Sequence, residues 1–527
     1  MLLVSYEFAV FFAVLMLCYF LAPDAWKRYI LLFFSLIFYL YGGAVFLLYP
    51  VTTAVTTFFL GKKIGKMTEE SKNYVMSRQM DREQKKDFNW AVKQKQRRFL
   101  ICGLVLNFGI LAVLKYVKFI FPNVASVFAL LGMEGKMEYA AWVLPLGISY
   151  YTFQSMGYLI DVYNRKYEPE HKFSVFFLFL LFFPQLTAGP ISRFDTFKNQ
   201  ITSLRRPAGK QVVFGMERML WGYFKKLVIA DRLGTAVSVI TGSPETYRGI
   251  WFLVGMVICT VWLFADFSGA MDIVIGAAEV FSIRLPENFD SPFSSKSLAE
   301  LWRRWHMTLM QWFKEYIFFP VSASGFCKNL SAGVKERFGK KAASRVPVYV
   351  ATLVVWFVTG IWHGASWNFI IWGMANGIVL LISQELSGIC KAFGRKYSFT
   401  ESVWYQGFQK VRTFFLFAFL QMFLYYPAGT VFSLAADVFA APEVRSLFNG
   451  GLADVGLAGM DLLILMFGVC FMWVAGRMAG NGGIREKLWK KPLAVQYGTV
   501  FLLFLLVLVT GVYGHGYYAS QFIYNQF

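Results

Sequence analysis

Long apolar runs constrain this chain more than any other feature. Several stretches, among them Val4–Leu21 and Phe99–Phe121, approach or exceed the ~20 residues that cross a ~30 Å hydrocarbon core. The runs are continuous rather than alternating, which is typical of buried helices and not of membrane strands. The sequence therefore predicts an all-α polytopic membrane protein. We expect about ten to twelve transmembrane and re-entrant helices, some of them tilted or short.

The composition agrees with a membrane protein. Hydrophobic residues make up 57% of the chain and aromatic residues 19%, and the formal net charge is +21. An excess of Lys and Arg in a membrane protein collects in cytoplasmic loops. No basic stretch alternates with aromatic side chains that could stack on bases, so we expect no nucleic-acid binding.

Three basic segments set the predicted topology. The segment Gly61–Arg98 holds twelve Lys or Arg residues against five Asp or Glu residues, and Ser322–Arg345 and Arg477–Lys491 are also basic. The positive-inside rule places all three in the cytoplasm. The apolar run Pro492–Tyr513 then crosses outwards, which puts the C-terminal tail Gly514–Phe527 outside the cell.

Cysteine spacing and the N-terminus add little to the predicted chemistry. The six cysteines form no CxxC pair, so we expect neither a disulfide framework nor a zinc or other metal site. Met1–Ala22 has no basic start and a poor cleavage context, and is predicted to be a retained first helix. Without an internal repeat or a soluble domain, residues 1–527 are predicted to form a single membrane domain.

Two apolar segments carry helix-breaking residues. Met137–Ile160 contains Pro145 and two glycines, Gly147 and Gly157, and Pro184–Phe194 contains two prolines and a glycine. Irregular backbone at membrane depth is tolerated only inside protein or beside a cavity. These segments are therefore predicted to line the protein interior.

Charged residues also interrupt apolar sequence. Asp266, Asp272 and Glu279 lie within the run Gly249–Ile283 and are expected to face inwards, with structural pairing favoured over a functional role. Gly215–Leu233 mixes basic and apolar residues and is predicted to be a helix at the cytoplasmic interface.

Two of the four histidines lie in apolar, tryptophan-rich sequence. His306 is in LWRRWHMTLMQWFKEYIFFP and His363 is in WFVTGIWHGASWNFIIW. An ionisable side chain in a membrane-embedded segment is costly and is a functional candidate by default. The alternative is a structural histidine that is hydrogen-bonded to a neighbouring helix. For a single histidine the structural and the functional interpretation are equally open. Two such histidines, each beside tryptophans, favour a functional role.

Five stretches resemble the membrane-bound O-acyltransferase family, in particular its bacterial alginate O-acetylase branch. They follow the family's order and cover most of Leu144–Gly373: LPLGISYYTFQSMGYLIDVY, FFPQLTAGPISRF, DFSGAMDIVIGAAEVFSIRLPENFDSPF, LAELWRRWHMTL and TGIWHGASWNFIIWG. The resemblance implies a ring of helices around a thin central region that a tunnel crosses, with an activated acyl donor entering from the cytoplasm. The N-terminal helices and residues 384–497 match in hydropathy alone.

The resemblance also implies roles for the histidines. His363 aligns with the family's catalytic base and His306 with a second active-site residue. Chemistry makes this sensible, because neutral imidazole with a pKa near 6.5 suits deprotonation of a hydroxyl at cellular pH. No metal is implied, and the donor implied for this branch is acetyl-CoA.

Further residues in the matching stretches are expected to line the tunnel or the substrate. These are Trp302, Trp305, Trp362, Trp367, Gln185 and Asp266. For any single tryptophan, structural packing is the safer interpretation.

The tail sequence FIYNQF resembles a C-terminal motif of the acetylase branch, in which the tyrosine is a proposed acyl carrier. That residue is Tyr524 here. The alternative is an aromatic anchor at the membrane surface. The resemblance implies a plasma-membrane enzyme that O-acetylates an exported or cell-wall polysaccharide with an extracytoplasmic SGNH-type partner. D-alanyl transfer to teichoic acids is a second possibility, and a secondary transporter is a third.

The predicted topology can be tested by labelling. Single cysteines engineered into Gly61–Arg98, Ser322–Arg345 and Arg477–Lys491 should not react with a membrane-impermeant thiol reagent in intact cells, because the Lys and Arg excess holds these loops in the cytoplasm. They should react in opened membranes. Strong labelling of one loop from outside would overturn the topology, including the outward tail.

Overall fold

The structure is a computed structural model that describes residues 1–78, 80–130, 144–479 and 483–513. The first part of the chain forms α1 (Tyr6–Leu21), α2 (Asp24–Leu40), α3 (Leu48–Ser77), α4 (Arg82–Leu130), α5 (Ile148–Tyr163), α6 (Phe173–Leu181), α7 (Phe183–Ala188), α8 (Phe194–Ile201), α9 (Gly209–Tyr223), α10 (Asp231–Gly242) and α11 (Ile250–Val280). A π-helical segment, Phe224–Ala230, joins α9 to α10.

The remaining helices are α12 (Leu298–Arg304), α13 (Met307–Phe313), α14 (Phe319–Ser322), α15 (Gly325–Ala343), α16 (Val346–His363), α17 (Trp367–Lys396), α18 (Val403–Gln421), α19 (Ala428–Ala440), α20 (Leu452–Asp454), α21 (Gly459–Ala479), α22 (Ile484–Trp489) and α23 (Leu493–Thr510). Within the described ranges there is no β-strand, and one isolated bridge pairs Phe289 with Trp305. The all-α prediction is confirmed.

The membrane prediction is confirmed by length and composition. Seven helices of the described chain are long and apolar enough to cross a bilayer, and they belong to α3, α4, α11, α16, α17, α21 and α23. Two shorter helices, α1 and α19, are also apolar. The protein is therefore a multi-pass membrane protein. The count of ten to twelve, the ring and the tunnel stay predictions.

The chain divides into two compact units. The first comprises Met1–Gly215 and Val274–Pro286, and the second comprises Met216–Ile273 and Glu287–Phe527. Helix α11 contributes its residues up to Ile273 to the second unit and its last turns to the first. The predicted single domain stays a prediction.

In the first unit, an aromatic cluster joins the N-terminal helices to the short helix α7. Phe183 at the start of α7 contacts Phe11 and Phe38 at ring-centroid distances of 5.4 and 5.8 Å. The helices α6, α7 and α8 are short because Pro184, Gly189 and Pro190 interrupt them, and residues 189–193 are not helical. Helix α5 begins after Gly147, whose φ of 68° is left-handed. The break within Pro184–Phe194 therefore lies where the sequence predicted it, as does the break before α5 in Met137–Ile160, of which residues 137–143 lie outside the described residues.

In the second unit, the two lysines of the π-helical segment are buried. Lys225 and Lys226 are 5% and 0% exposed, and they pair with carboxylates of α10 and α11. The sequence pattern could not show that acidic partners would cover these lysines. The position of Gly215–Leu233 at the cytoplasmic interface stays a prediction.

Helices α16 and α17 pack at backbone contact distance in the second unit. A Cβ atom on Gly373 would lie 2.4 Å from the carbonyl oxygen of Trp356, and one on Gly360 would lie 2.5 Å from that of Phe369. Small residues at such positions let two helices approach closely in membranes. This contact fixes the end of α16, where His363 lies.

Replacing Gly373 with alanine should destabilise the protein. The added methyl group would meet backbone atoms that cannot rotate away, and overpacking typically costs about 1–3 kcal/mol. Thermal unfolding of purified protein would measure the loss. Gly388→Ala is the matched control, because Gly388 lies on the same helix with no atom within 4 Å of the added methyl. Equal melting temperatures for the two variants would contradict the close packing.

Candidate active site

His306 lies in a strained turn between α12 and α13. Its φ and ψ are 47° and 49°, a left-handed conformation that costs a non-glycine residue roughly 1–2 kcal/mol. Neighbouring backbone bonds hold it: Asp290 N–H donates to Arg304 O at 3.0 Å, and Met307 N–H donates to Asn288 O at 3.0 Å. Arg304 and Met307, on either side of His306, are therefore hydrogen-bonded in place. These bonds hold His306 in its left-handed conformation.

The imidazole of His306 is buried among aromatic rings. It is 2% exposed, its centroid is 4.8 Å from Phe267 and 5.9 Å from Trp362, and Nδ1 is 3.2 Å from Asn288 Oδ1. His306 lies outside the seven spanning helices, and burial lowers its pKa to about 3. The side chain is therefore neutral at cellular pH.

His363 is the last residue of α16 and is 8% exposed. Its ring is 4.8 Å from Trp362 and 4.7 Å from Trp372. Because Trp362 contacts both imidazoles, the structure brings His306 and His363 to one aromatic cluster within the second unit. Gly364 follows His363 where a Cβ atom would lie 2.1 Å from the ring of Phe369.

Two of the predicted tryptophans pack within the core of the second unit. Trp302 and Trp305 are 6% and 2% exposed, and both contact Phe417. Trp302 Nε1 donates to Asn376 Oδ1 at 3.1 Å, and Asn376 Nδ2 donates to Trp372 O at 2.9 Å. These contacts are packing and orienting contacts, and the tunnel-lining role stays a prediction.

The other predicted lining residues differ in their surroundings. Trp362 is buried between the histidines, whereas Trp367, in the first turn of α17, is 58% exposed. Asp266 is buried and accepts a hydrogen bond from Lys226 at 2.7 Å, which confirms its predicted pairing. Gln185 belongs to the first unit, where its side-chain amide donates to Pro190 O at 3.0 Å and also to the Ser192 hydroxyl.

A cavity of about 2180 Å³ lies in the second unit and reaches the His306 turn. Asn288 and Met307 line it beside His306. Apolar side chains of α21 and α23 form much of its wall, and Arg477 and Arg485 line it as well. The cavity can thus hold a ligand with polar and apolar parts beside Asn288 and Met307 of the His306 turn.

Sequence reasoning missed the polar residues that position the site. Asn288, Asn376 and Lys226 are each 1% exposed or less and hydrogen-bond to candidate site residues. A buried carboxylate such as Asp266 does require a cation nearby, but the sequence does not say which one. The carrier candidate Tyr524 lies in 514–527, outside the described residues.

The sequence model of the MBOAT, membrane-bound O-acyltransferase, family matches residues 45–332, just over half of the chain. The match includes His306 and ends before His363. The chain is 28% identical to a protein of Pseudomonas aeruginosa named probable alginate O-acetylase AlgI, over 70% of this chain and 63% of that protein. The matched part therefore spans just under two thirds of that relative's length.

Two other relatives carry different names. A peptidoglycan O-acetyltransferase of Helicobacter pylori is 31% identical over 56% of this chain and 57% of its own length. A teichoic acid D-alanyltransferase of Streptococcus thermophilus is 29% identical over 45% of this chain and 56% of its own length. The names of these relatives differ in the acceptor and, for the D-alanyltransferase, in the transferred group. The chain belongs to the membrane-bound O-acyltransferase family.

Proposed function

We propose that this protein is a membrane O-acetyltransferase that moves acetyl groups from cytoplasmic acetyl-CoA across the plasma membrane to an exported or cell-wall polysaccharide. One observation carries the proposal: two buried imidazoles, His306 and His363, flank Trp362 in one aromatic cluster. The names of the alginate and peptidoglycan O-acetylating relatives support acetyl as the transferred group.

The proposed chemistry needs one base and dry surroundings. His363 takes the proton of the acceptor hydroxyl, and the hydroxyl oxygen forms a bond to the thioester carbonyl carbon. The carbon–sulfur bond then breaks, and the departing coenzyme A thiolate takes the proton from the imidazolium. The aromatic side chains around both histidines exclude water, which limits hydrolysis of the thioester.

The donor is proposed to use the cavity of the second unit. Arg477 and Arg485 line it and belong to a segment predicted to be cytoplasmic, while Asn288 and Met307 line it beside His306. The cations suit the phosphates of coenzyme A, and the thioester end would lie towards the histidines. This arrangement supports entry of the donor from the cytoplasm.

The outward step is proposed to run through the tail. Tyr524 would accept the acetyl group as an aryl ester, which is a reactive donor because phenolate leaves more readily than a sugar alkoxide. An extracytoplasmic SGNH-type transferase would then pass the group to the polysaccharide. The donor, the tail and the partner together give a route from the cytoplasm to the outer surface.

D-alanyl transfer is the second candidate, because a relative of similar identity is named teichoic acid D-alanyltransferase. Purified protein can be offered radiolabelled acetyl-CoA and, separately, a D-alanyl carrier protein. Label from the carrier alone would favour D-alanyl transfer, and label from acetyl-CoA supports the acetyltransferase.

His363→Ala should reduce transfer of radiolabelled acetyl groups by roughly 10²–10⁴-fold, because a general base typically contributes that factor. The size-exclusion profile should stay close to wild type and the melting temperature should fall only modestly, because the variant loses the contacts of one buried imidazole with Trp362 and Trp372. His171→Ala, at an exposed histidine of the first unit, is the control and should keep its activity. Wild-type rates in purified His363→Ala would end the assignment.

Tyr524→Phe should block acetylation of the outer acceptor while binding of acetyl-CoA persists. The change keeps the aromatic ring and removes the phenolic oxygen, the atom that would carry the acetyl group. Mass spectrometry of the C-terminal peptide of wild-type protein should show an acetyl adduct on Tyr524 when the outer partner is absent. Full polysaccharide acetylation by the Phe variant would instead identify the tail as a membrane anchor.

A further inference from the structure

The amide of Asn288 has an orientation that the surrounding hydrogen bonds determine. The atom assigned as Oδ1 is 3.1 Å from the backbone N–H of Thr308 and 2.9 Å from the Thr308 hydroxyl oxygen. A backbone N–H can only donate, so the atom that it meets must be the amide oxygen and not the nitrogen. The amide nitrogen points the other way, 3.2 Å from the sulfur of Met271.

This orientation decides the roles of the two nitrogens of His306. Nδ1 is 3.2 Å from the same amide oxygen, and an oxygen that only accepts requires Nδ1 to carry the hydrogen. A neutral imidazole has one N–H, so the other nitrogen, Nε2, must then be the one with a lone pair. We propose that Asn288 is a positioning residue that holds His306 in the Nδ1–H tautomer and so makes Nε2 its basic nitrogen.

Both the backbone and the side chain of Asn288 are held by hydrogen bonds. It is 1% exposed, and its backbone carbonyl accepts from the N–H of Met307 at 3.0 Å. The bonds to Met307 and Thr308 tie it to the first turn of α13, directly after the strained His306. Rotation of the amide would break its hydrogen bonds to the Thr308 N–H and hydroxyl as well as the one to His306. The amide oxygen therefore stays directed at Nδ1 of His306.

A neutral partner also suits the position better than a carboxylate. Asn288 orients the imidazole without adding a charge, so His306 stays neutral in its apolar surroundings of Phe267 and Trp362. In the transferase proposed above, on which this role rests, Nε2 then accepts a hydrogen bond from the reacting hydroxyl, whose proton passes to His363. Asn288 acts on the reaction through His306.

The tautomer can be measured directly in the wild-type protein. We expect ¹⁵N solid-state NMR of histidine-labelled protein in lipid at neutral pH to show a hydrogen on Nδ1 of His306 and none on Nε2. The signals of His306 are assigned by their loss in His306→Asn, because asparagine tolerates the left-handed backbone of this turn. A hydrogen on Nε2 in the wild type would overturn the proposal without any variant.

A pair of variants separates positioning from loop stability. Asn288→Ala should give a mixture of His306 tautomers and lower kcat about tenfold or more with little change in KM, because in the wrong tautomer Nε2 carries a hydrogen and cannot accept a hydrogen bond from the reacting hydroxyl. Thr308→Val is the matched control: it removes a hydrogen bond to the same oxygen and keeps the Thr308 backbone N–H. It should keep the Nδ1–H tautomer and most of the activity.

The two measurements also separate this proposal from the proposed function. An unchanged His306 tautomer in Asn288→Ala, or an equal loss of kcat in both variants, would overturn the positioning role. If acetyl-CoA gives no transfer at all, the acetyltransferase proposal fails, while the NMR of wild type and Asn288→Ala still decides the tautomer. The positioning of His306 thus stands or falls on its own readout.

Discussion

The free-energy cost of an unpaired polar group in apolar surroundings governs this structure. Isolating a charge in such surroundings costs several kcal/mol, so buried charges must come with partners. In the second unit, Lys226 is fully buried between Asp231 and Asp266 at 2.8 and 2.7 Å. Lys225 pairs with Asp272, which Arg218 also contacts. These ion pairs tie the π-helical segment to α11, from which Phe267 reaches His306.

The candidate site follows the same rule with neutral groups. Trp302, Asn376 and Trp372 form a chain of hydrogen bonds behind His363, and Asn288 supplies an oxygen to His306 and to Thr308. His306 is thus oriented by an amide that adds no charge, and Asn376 holds two tryptophans, of which Trp372 contacts His363. The hydrogen bond that orients His306 and the ion pairs of α11 therefore use different side chains.

The sequence predicted the membrane class, the broken segments at Pro145 and Pro184, and the apolar, aromatic surroundings of His306 and His363. These features depend on run length, on helix breakers and on the residues next to each histidine. It also predicted the inward pairing of Asp266 and Asp272. It did not predict that Lys225 and Lys226 are their partners. In the sequence these two lysines lie in a basic and apolar pattern typical of an interfacial helix, and Asp266 and Asp272 lie about forty residues further along the chain. Asn288 was missed for a similar reason: its role depends on a turn pairing with residues 304–308, which no periodicity reveals.

The π-helical segment Phe224–Ala230 carries a consequence for how the gene can change. In a π turn the residue five positions on lies over a given residue, whereas in an α-helical turn the residue four positions on takes that place. Lys226 and Asp231 are five positions apart and pair at 2.8 Å. Loss of one codon between them, with a return to α-helical pitch, would leave them four positions apart and still on one face. A return to α-helical pitch without that loss would instead rotate Asp231 by about 100° away from Lys226.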